Sequence, residues 1–412
     1  MQKSVGITDR NREGAMHRNT SAVVRAGFVA EFGQEPAGIW SAPGRVSLMG
    51  DHTDIEDGIT YGFTYEARSA VAVRLRDDDQ ISIRTDLTDE QVETTLAELT
   101  PPTEHSWKDY PLGVIWAMRN WLADRPADDE GATPRTATGL DLFITTDVPI
   151  GGGLASSASL CAALTVALNE LWDLDVDRYR LARFGHEVEN VYIGASAGMS
   201  DHVTVLSGDE DHDVFFDARG GDVSLIDVPA LAAEGFAPIL IESGETHRNW
   251  AGTVNDRHEA CQRVSRTLGL QALREMDADD LQAAAERVDP VDFQRARYIV
   301  TEIQRVLDFT RLLRTEGASA VGRLFTESQQ SLRDDFEVST KRVDTICEIA
   351  LAAGATGARM TGSGFGGSVF ALVPLEHVDQ LRSMLAEAYA EYGWEGLEIY
   401  EAHSSPGARR DA

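Results

Sequence analysis

The sequence predicts an α+β fold, in which strands and helices follow one another without the strict alternation of a doubly wound sheet. Two observations predict it. Strand-like alternation of apolar and polar residues occupies 35–85 and 140–148 and returns after 357, while helical spacing dominates the chain between these regions. The length of 412 residues exceeds one ordinary core and suits two domains.

The individual elements follow from the same periodicities, taken in chain order. Strands are predicted as a strand–turn–strand unit over 35–65, a hairpin of Val71–Leu75 and Ile81–Thr85 around Arg76–Gln80, and single strands at Leu140–Val148, Gly357–Thr361, Ser368–Val373 and Leu397–Ala402. Helices are predicted at Trp107–Leu122, from Leu160 to near Asp173, and at Arg178–Val191, Arg248–Leu268, Asp292–Thr315, Val338–Ala353 and Leu375–Tyr392. The first 19 residues predict a loose N-terminus, and 123–137 predict a solvated loop.

The composition restricts the classes of partner. A net charge of −31 disfavours nucleic acid and anionic membranes, because both are anionic. No apolar run approaches the roughly 18 residues that cross a bilayer, and the polar N-terminus lacks the apolar centre of a signal peptide. Cys161, Cys261 and Cys347 show neither disulfide nor metal spacing, as is typical of a reducing compartment. We therefore expect a cytoplasmic protein with no nucleic-acid or membrane partner.

The stretch DVPIGGGLASSASL, Asp147–Leu160, predicts a phosphate site. A strand is followed by three glycines, small hydroxyl residues and a helix, and a helix N-terminus presents unpaired N–H groups and partial positive charge. Glycines let the backbone approach a phosphate closely, and serines can donate to its oxygens or bind a metal ion. The alternative is a flexible turn with Ser156 as an ordinary N-cap. No Gly-Lys-Ser/Thr follows, so this is not a Walker A loop.

A second glycine-rich stretch, Gly357–Val373, contains the letters G-x-G-x-x-G at Gly362, Gly364 and Gly367. The following residues, SVFALV, predict a strand and not the helix that a dinucleotide fingerprint opens. Such a loop between strands can close one wall of a phosphate site. The alternative is a tight hairpin with no ligand.

A third stretch, SAPGRVSLMGDHTDIEDG at Ser41–Gly58, places Arg45, Asp51, His52 and Asp54 close together. Carboxylates and an imidazole in fixed directions suit the hydroxyl groups of a sugar. The alternative is a charged surface loop, which is common in a chain this acidic.

Together these stretches resemble the GHMP kinases and, within them, the galactokinase family. Gly44–Gly58 resembles the signature GR-x-N-L-I-GEHTDY-N-x-G, Pro149–Ser159 resembles the phosphate loop P-x-G-x-G-L-S-S-S-A-S, and Arg359–Gly367 resembles R-M-T-G-G-G-F-G-G. Further resemblances lie between them, at Gly198–His202, Ala296–Val306 and Glu327–Ser339. The resemblance extends from about Gly33 to Val373 in the family's order.

The resemblance implies a two-lobed GHMP kinase fold with a ferredoxin-like C-terminal half, and we divide the chain at 20–210 and 211–405. It implies an ATP-dependent kinase with Mg²⁺ that phosphorylates galactose, or a closely related sugar, at the anomeric hydroxyl. Asp201 matches the catalytic aspartate and Arg45 the active-site arginine. Ser157, with Ser156 as the alternative, and Glu189 match the metal ligands. We expect a small-molecule sugar as the partner and a monomer or weak homodimer.

The remaining site residues are also carried over by this resemblance. The sugar is assigned to Asp51, His52, Asp54, Gly198 and Val254. ATP is assigned to Trp107 near the adenine and to Pro149, Gly151, Gly152, Gly153, Leu154, Ala155, Ser156, Ser157, Ser159 and Gly364.

The sugar side departs from the family pattern. Asp51 stands where the family has glutamate, Ile55 and Val254 stand where it has tyrosines, and Ser47 stands where it has asparagine. A lost hydrogen-bond partner typically costs about 1–3 kcal/mol, enough to change the preference between sugars. The alternatives are therefore a related kinase for N-acetylgalactosamine, arabinose or a uronic acid, or a catalytically silent sugar sensor. A dinucleotide-dependent dehydrogenase is suggested only by the G-x-G-x-x-G letters.

Overall fold

The computed structural model describes residues 19–124, 136–227, 231–245 and 250–412. The predicted loose N-terminus and most of the predicted loop at 123–137 lie outside these residues. The helices are α1 (Thr20–Phe32), α2 (Asp109–Ala123), α3 (Ser156–Leu171), α4 (Arg178–Glu187), α5 (Ser200–Ser207), α6 (Trp250–Leu268), α7 (Leu281–Ala285), α8 (Pro290–Glu316), α9 (Gly322–Ser331), α10 (Lys341–Ala352) and α11 (Val378–Tyr392). The strands are β1 (Gly38–Met49), β2 (Ile59–Leu75), β3 (Gln80–Thr85), β4 (Val92–Thr95), β5 (Leu140–Thr146), β6 (His212–Asp217), β7 (Asp222–Asp227), β8 (Phe236–Glu242), β9 (Gly357–Thr361), β10 (Ser368–Pro374), β11 (Glu398–Glu401) and β12 (Arg409–Arg410).

The first sheet has the order β12-β1-β2-β5-β3-β4, and β6 and β7 extend it from the start of β2. Strand β2 is long because its two ends serve different partners: Ser69–Leu75 pairs with β5, and Ile59–Gly62 pairs with β6. The chain's last strand, β12, returns to the edge beside β1. Both termini of the described chain therefore belong to the N-terminal half.

The predicted hairpin of 71–75 and 81–85 is wrong. Both segments are strands, but β5 lies between them, antiparallel to β2 and parallel to β3. Buried Asp141 on β5 accepts from Arg74 Nη2 at 2.6 Å and from Arg76 Nη1 at 2.9 Å. These ion pairs attach the end of β2 to β5, and they join residues that lie 67 and 65 positions apart in the chain.

The second sheet has the antiparallel order β11-β8-β10-β9. Numbered along the chain, this is the order 4-1-3-2, with helices between its first and second strands and α11 between its third and fourth. That arrangement is the β-α-β-β-α-β ferredoxin-like motif. The α+β class and the ferredoxin-like C-terminal half are confirmed.

Most of the predicted helices and strands lie where the periodicity placed them, but several elements were not predicted. These are α1, β4, α5, β6, β7, β8, α7, α9 and β12. Strand pairing keeps β6 and β7 in the first sheet. The change from one sheet to the other therefore comes after Asp227. The division of the chain into 20–210 and 211–405 stays a prediction.

Strands β1 and β2 join the two halves, because their two ends contribute to different cores. Trp40 and Val71 pack in the core beneath α2 and α3. Tyr61 and Phe63, further along the same sheet, pack in the core of the C-terminal half, where the ring of Tyr61 lies 5.0 Å from that of Phe309 on α8. The ends of β1 and β2 are thus held against the second half, and the loop between them opens beside it.

Within the described residues, no helix is both long and apolar enough for a bilayer.

Candidate active site

The three motifs meet at one cleft with a cavity volume of about 370 Å³, within the range of small-molecule sites. Of the predicted site residues, those that line it are Arg45, Asp51, His52, Asp54, Trp107, Gly151, Gly153, Leu154, Ala155, Ser156, Ser157, Glu189, Gly198, Asp201 and Val254. Pro149, Gly152, Ser159 and Gly364 do not line it. Gly362 and Ser363 bring the third motif to the same wall.

Glycines are required where the phosphate loop and the third motif touch. A Cβ on Gly362 would lie 2.3 Å from the carbonyl oxygen of Gly153, and a Cβ on Gly153 would lie 2.7 Å from that of Thr361. Both glycines also have positive φ, at 76° and 85°. The two loops therefore pack backbone to backbone, which a larger residue at either position would prevent.

The phosphate loop leads directly into α3. Ala155 is the N-cap residue, its φ of 61° lies in the left-handed region, and it makes no side-chain cap. The first amides of α3 therefore face the cleft without a capping oxygen, which favours an anion there over the ordinary N-cap interpretation of Ser156. Left-handed backbone at a residue other than glycine costs about 1–2 kcal/mol, and such strain clusters at functional sites.

Two residues assigned to ATP have other contacts. Ser159 is fully buried, donates its hydroxyl to the carbonyl of Ala42 at 2.7 Å and accepts from the amide of Ser69. Gly364 packs against Val338, whose carbonyl oxygen would lie 2.5 Å from an added Cβ. Ser159 thus joins α3 to β1 and β2, and Gly364 packs the third motif against Val338.

Arg45 and Asp201 form a bidentate ion pair at the centre of the cleft. Arg45 donates from Nε to Asp201 Oδ1 and from Nη2 to Oδ2, both at 2.7 Å, and from Nη1 to the Gly153 carbonyl at 2.5 Å. Burial opposes the charge of Arg45, but Asp201 and Asp51 raise its pKa above the ordinary arginine value. A fixed positive charge therefore lies between a carboxylate from α5 and the phosphate loop.

Asp54 is fixed on one side of the cleft by the start of α5. Its Oδ2 accepts from the amide of Ser200 at 2.8 Å, and burial raises the pKa of its carboxyl. Gly198 leaves room for it, since an added Cβ would lie 1.9 Å from the same oxygen. The carboxylate of Asp54 thus packs against the backbone of Gly198 and Ser200.

We expect Gly198→Ala to lower kcat/KM for the sugar at least about 10-fold, because the new methyl group displaces Asp54 and removes a hydrogen bond to a charged group. Steady-state kinetics with each substrate varied in turn measures this. The KM for ATP is the internal control and should change less than about 2-fold. An unchanged sugar KM would contradict this role of Gly198.

Asp51 takes part in a buried network that reaches into the C-terminal half. Its Oδ1 accepts from the amide of Gly362 at 3.0 Å, and its Oδ2 pairs with Arg359 Nη2. Arg359 also donates to the Leu48 carbonyl at 2.9 Å and lies 3.5 Å from Glu302 on α8. Both carboxylate oxygens of Asp51 thus bind residues of the third motif. In this structure Asp51 therefore anchors the loop between β1 and β2.

Comparisons with known proteins agree with this geometry. The galactokinase galactose-binding signature matches residues 26–75, the GHMP kinases N terminal domain matches 110–209, and the GHMP kinases C terminal domain matches 309–391. The galactokinase of Streptomyces coelicolor is 38% identical over 394 residues, covering 93% of this chain and 98% of its own. The chain belongs to the galactokinase family. It is a sugar kinase, a phosphotransferase with ATP and Mg²⁺ as its cofactors.

Two further relatives extend the comparison. The galactokinase of Pasteurella multocida is 33% identical and covers 89% of this chain and 93% of its own. The crystal structure of Lactococcus lactis galactokinase complexed with galactose superposes with a TM-score of 0.86 at 26% identity, covering 94% of this chain and 99% of its own. Methanococcus jannaschii mevalonate kinase shares the fold, with a TM-score of 0.60 at 18% identity, covering 89% and 98%.

The predicted metal ligands of this galactokinase-family site lie together. Ser157 donates to Glu189 Oε1 at 3.1 Å, and His202 Nε2 lies 3.0 Å from Glu189 Oε2. Glu189 is delivered by a π-helical turn that continues α4 over Val188–Ile193. A hydroxyl and one carboxylate, both hard oxygen donors, suit Mg²⁺, which usually completes its shell with phosphate and water. The residues present therefore fit that ion.

Trp107, which the resemblance assigns to adenine, lines the cleft with its ring held in place by a carboxylate. The indole Nε1 donates to Glu90 at 3.0 Å, and the neighbouring Lys108 pairs with the other oxygen of Glu90 at 2.7 Å. This carboxylate fixes the orientation of the ring. The cleft is also lined by apolar and aromatic residues that the sequence analysis did not assign to a ligand: Leu87, Tyr110, Ile144, Ile150 and Leu160.

Two polar residues at the site were also missed. Arg359 appeared only as a letter of the third motif, and nothing local in the sequence shows that it pairs with Asp51. His258 lines the cleft from α6, one helical turn after Val254. The sequence held one signal for His258: it lies four residues after Val254, a predicted sugar contact, and positions i and i+4 share a helix face.

Proposed function

We propose that this chain transfers the terminal phosphoryl group of ATP to the anomeric hydroxyl of galactose. The bidentate Arg45–Asp201 pair carries the proposal, since it stands between the phosphate loop and the sugar residues. The galactose-binding signature over 26–75 and the likeness to a galactokinase solved with galactose support the choice of sugar.

Positioning and charge neutralisation account for most of phosphoryl transfer, and the cleft supplies both. Asp201 orients the attacking hydroxyl and accepts its proton. Arg45 orients Asp201 through the bidentate pair and presents positive charge to the transferring group, because one guanidinium contacts both that carboxylate and the Gly153 carbonyl of the phosphate loop. When bound, Mg²⁺ supplies charge neutralisation for the phosphates, and Ser157 and Glu189 are the residues that would hold it.

The sugar is proposed to lie among Asp54, His52, Gly198 and Val254. Asp54 accepts hydrogen bonds from sugar hydroxyls while its other contact, the Ser200 amide, holds it in place. Ile55 and Val254 line the same cleft without a polar group. The preference between sugars therefore depends on the carboxylate and imidazole groups that line this part of the cleft.

A panel of sugars with ATP and Mg²⁺, followed by ADP release, tests the function. We expect galactose to be phosphorylated at the anomeric position, with arabinose, N-acetylgalactosamine and galacturonic acid compared at equal concentration. A higher kcat/KM for one of those sugars would support the altered preference suggested by positions 51, 55 and 254. Absence of ADP release with every sugar would overturn the kinase proposal and favour a silent sensor.

The other two alternatives have weaker support. A sensor does not require the complete Arg45–Asp201 pair beside Ser157 and Glu189. A dehydrogenase requires a helix after the G-x-G-x-x-G letters, but β10 follows them. A cytoplasmic location and a monomer or weak homodimer stay predictions.

A further inference from the structure

Two histidines of the cleft hold buried nitrogen atoms that the mechanism does not use. His258 on α6 is 4% exposed, and neither of its ring nitrogens has a hydrogen-bond partner among the residues that the structure describes. His52 Nε2 is likewise buried and unpaired within the described chain. The two rings meet edge to face, with centroids 5.9 Å apart. A buried polar atom without a hydrogen-bond partner costs about 1–3 kcal/mol. Three such nitrogen atoms on two adjacent rings therefore require an explanation.

Packing alone does not explain His258. An apolar side chain of similar size would fill the same volume without the desolvation cost of two nitrogens. The backbone of Ser196 is a polar neighbour of this ring, and it acts to raise the pKa of His258 against the larger effect of burial. His52 is also held in the left-handed region, with φ of 66°, and its ring packs against those of Phe336 and His258. Two unfavourable features thus coincide at one wall of the cleft.

The position of His258 relates this wall to the sugar. Val254 and His258 lie four residues apart on the same face of α6, and both line the cleft with Asp54 and Gly198. Val254 offers no polar atom. His258 is therefore a polar side chain that α6 presents to the sugar end of the site.

Both imidazoles are neutral at physiological pH. Burial lowers the pKa of His52 to about 4 and that of His258 to about 3. A neutral imidazole has one donor and one acceptor nitrogen, which matches a hydroxyl group that both donates and accepts.

We propose that His258 is a specificity-determining residue that binds a hydroxyl of the sugar beside His52. The inference rests on the proposed sugar kinase function and adds to it a contact that none of the three motifs contains. The sugar hydroxyl supplies the missing hydrogen-bond partner, which makes the desolvated nitrogens favourable only when a sugar with a hydroxyl at that position is bound.

The test combines His258 variants with 2-, 3-, 4- and 6-deoxygalactose. In the unsubstituted enzyme, removing the contacted hydroxyl should raise KM about 10-fold. His258→Leu should raise the KM for galactose by a similar factor, and the sensitive deoxysugar should then show no further loss. The KM for ATP should change less than about 2-fold. His258→Asn, which keeps a donor and an acceptor, should recover part of the affinity.

A stability measurement separates this role from a structural one. Because leucine removes two unpaired buried nitrogens, His258→Leu should leave the melting temperature of the sugar-free protein unchanged or raised. Glu259→Gln, the next residue of α6 and exposed, is the control and should alter neither quantity. If all four deoxysugars lose the same factor in His258→Leu as in the unsubstituted enzyme, the inference is overturned. If the unsubstituted enzyme phosphorylates no sugar, the proposed function falls and the inference falls with it.

Discussion

Asp201→Asn is expected to lower kcat by about 10²–10⁴-fold while both substrates still bind. The change removes the proton acceptor but keeps the shape of the side chain. The asparagine oxygen can still accept from Arg45 Nε, whereas its amide nitrogen faces the donor Nη2 across 2.7 Å. The loss should therefore appear mainly in kcat, since the sugar's other contacts are untouched.

Coupled ADP release measures the turnover of this variant, and calorimetric titration of ATP and galactose measures binding. Asp211→Asn is the matched control, because Asp211 is an exposed aspartate outside the cleft. It should retain full activity. Turnover of Asp201→Asn within about 2-fold of the unsubstituted enzyme would remove Asp201 from the proton-transfer role.

Arg359→Met is expected to lower the free energy of unfolding by about 3–5 kcal/mol, the usual consequence of removing one partner from a buried ionic network. Arg359 and Glu302 are fully buried, and Asp51 is nearly so. Burial works against the charge of Glu302, but Arg305 and Arg359 hold its pKa below the ordinary value. Without the guanidinium, Asp51 keeps the hydrogen bond from the Gly362 amide but loses its ion pair with the second half.

Chemical denaturation of the ligand-free protein measures this change. The control is Arg323→Met, since Arg323 pairs with Glu327 on the surface of α9 and such a pair contributes about 0–1 kcal/mol. Adding Asp51→Asn to Arg359→Met should recover part of the stability, because the uncompensated carboxylate is removed. Equal losses for the two arginine variants would show that the network does not hold the halves together.

The motifs made much of the site predictable because each one is a short, continuous stretch. The phosphate loop carries its own geometry: glycines permit the positive φ at Gly151 and Gly153, and a helix must follow. The sugar stretch likewise holds Arg45, Asp51, His52 and Asp54 within ten residues of one another. The order of elements in the C-terminal half, Gly357–Thr361 followed by Ser368–Pro374, was visible as two apolar runs around glycines.

Two of the failures concern residues far apart in the chain, and a third concerns an element too short for a periodic signal. Periodicity found β2, β3 and β5 as strands but not the position of β5 between the other two, because that pairing depends on Asp141 and on burial that no local window contains. Helix α5 was missed although it carries Asp201, since its eight residues are too few for a periodic signal. Ser159 was assigned to ATP by its place in the motif, yet its hydroxyl was already engaged by β1.

The sequence by itself determined the chemical groups of this protein: a glycine loop before a helix, an arginine and carboxylates proposed to face a sugar, and a serine and glutamate proposed to hold a metal. Only the tertiary structure decided how they act together. It joined Asp51 to Arg359 across 308 residues, placed Gly153 against Gly362, and brought His258 beside His52. The physical reason is that residue types fix what a side chain can donate, accept or neutralise, whereas its partner is chosen by packing between distant segments.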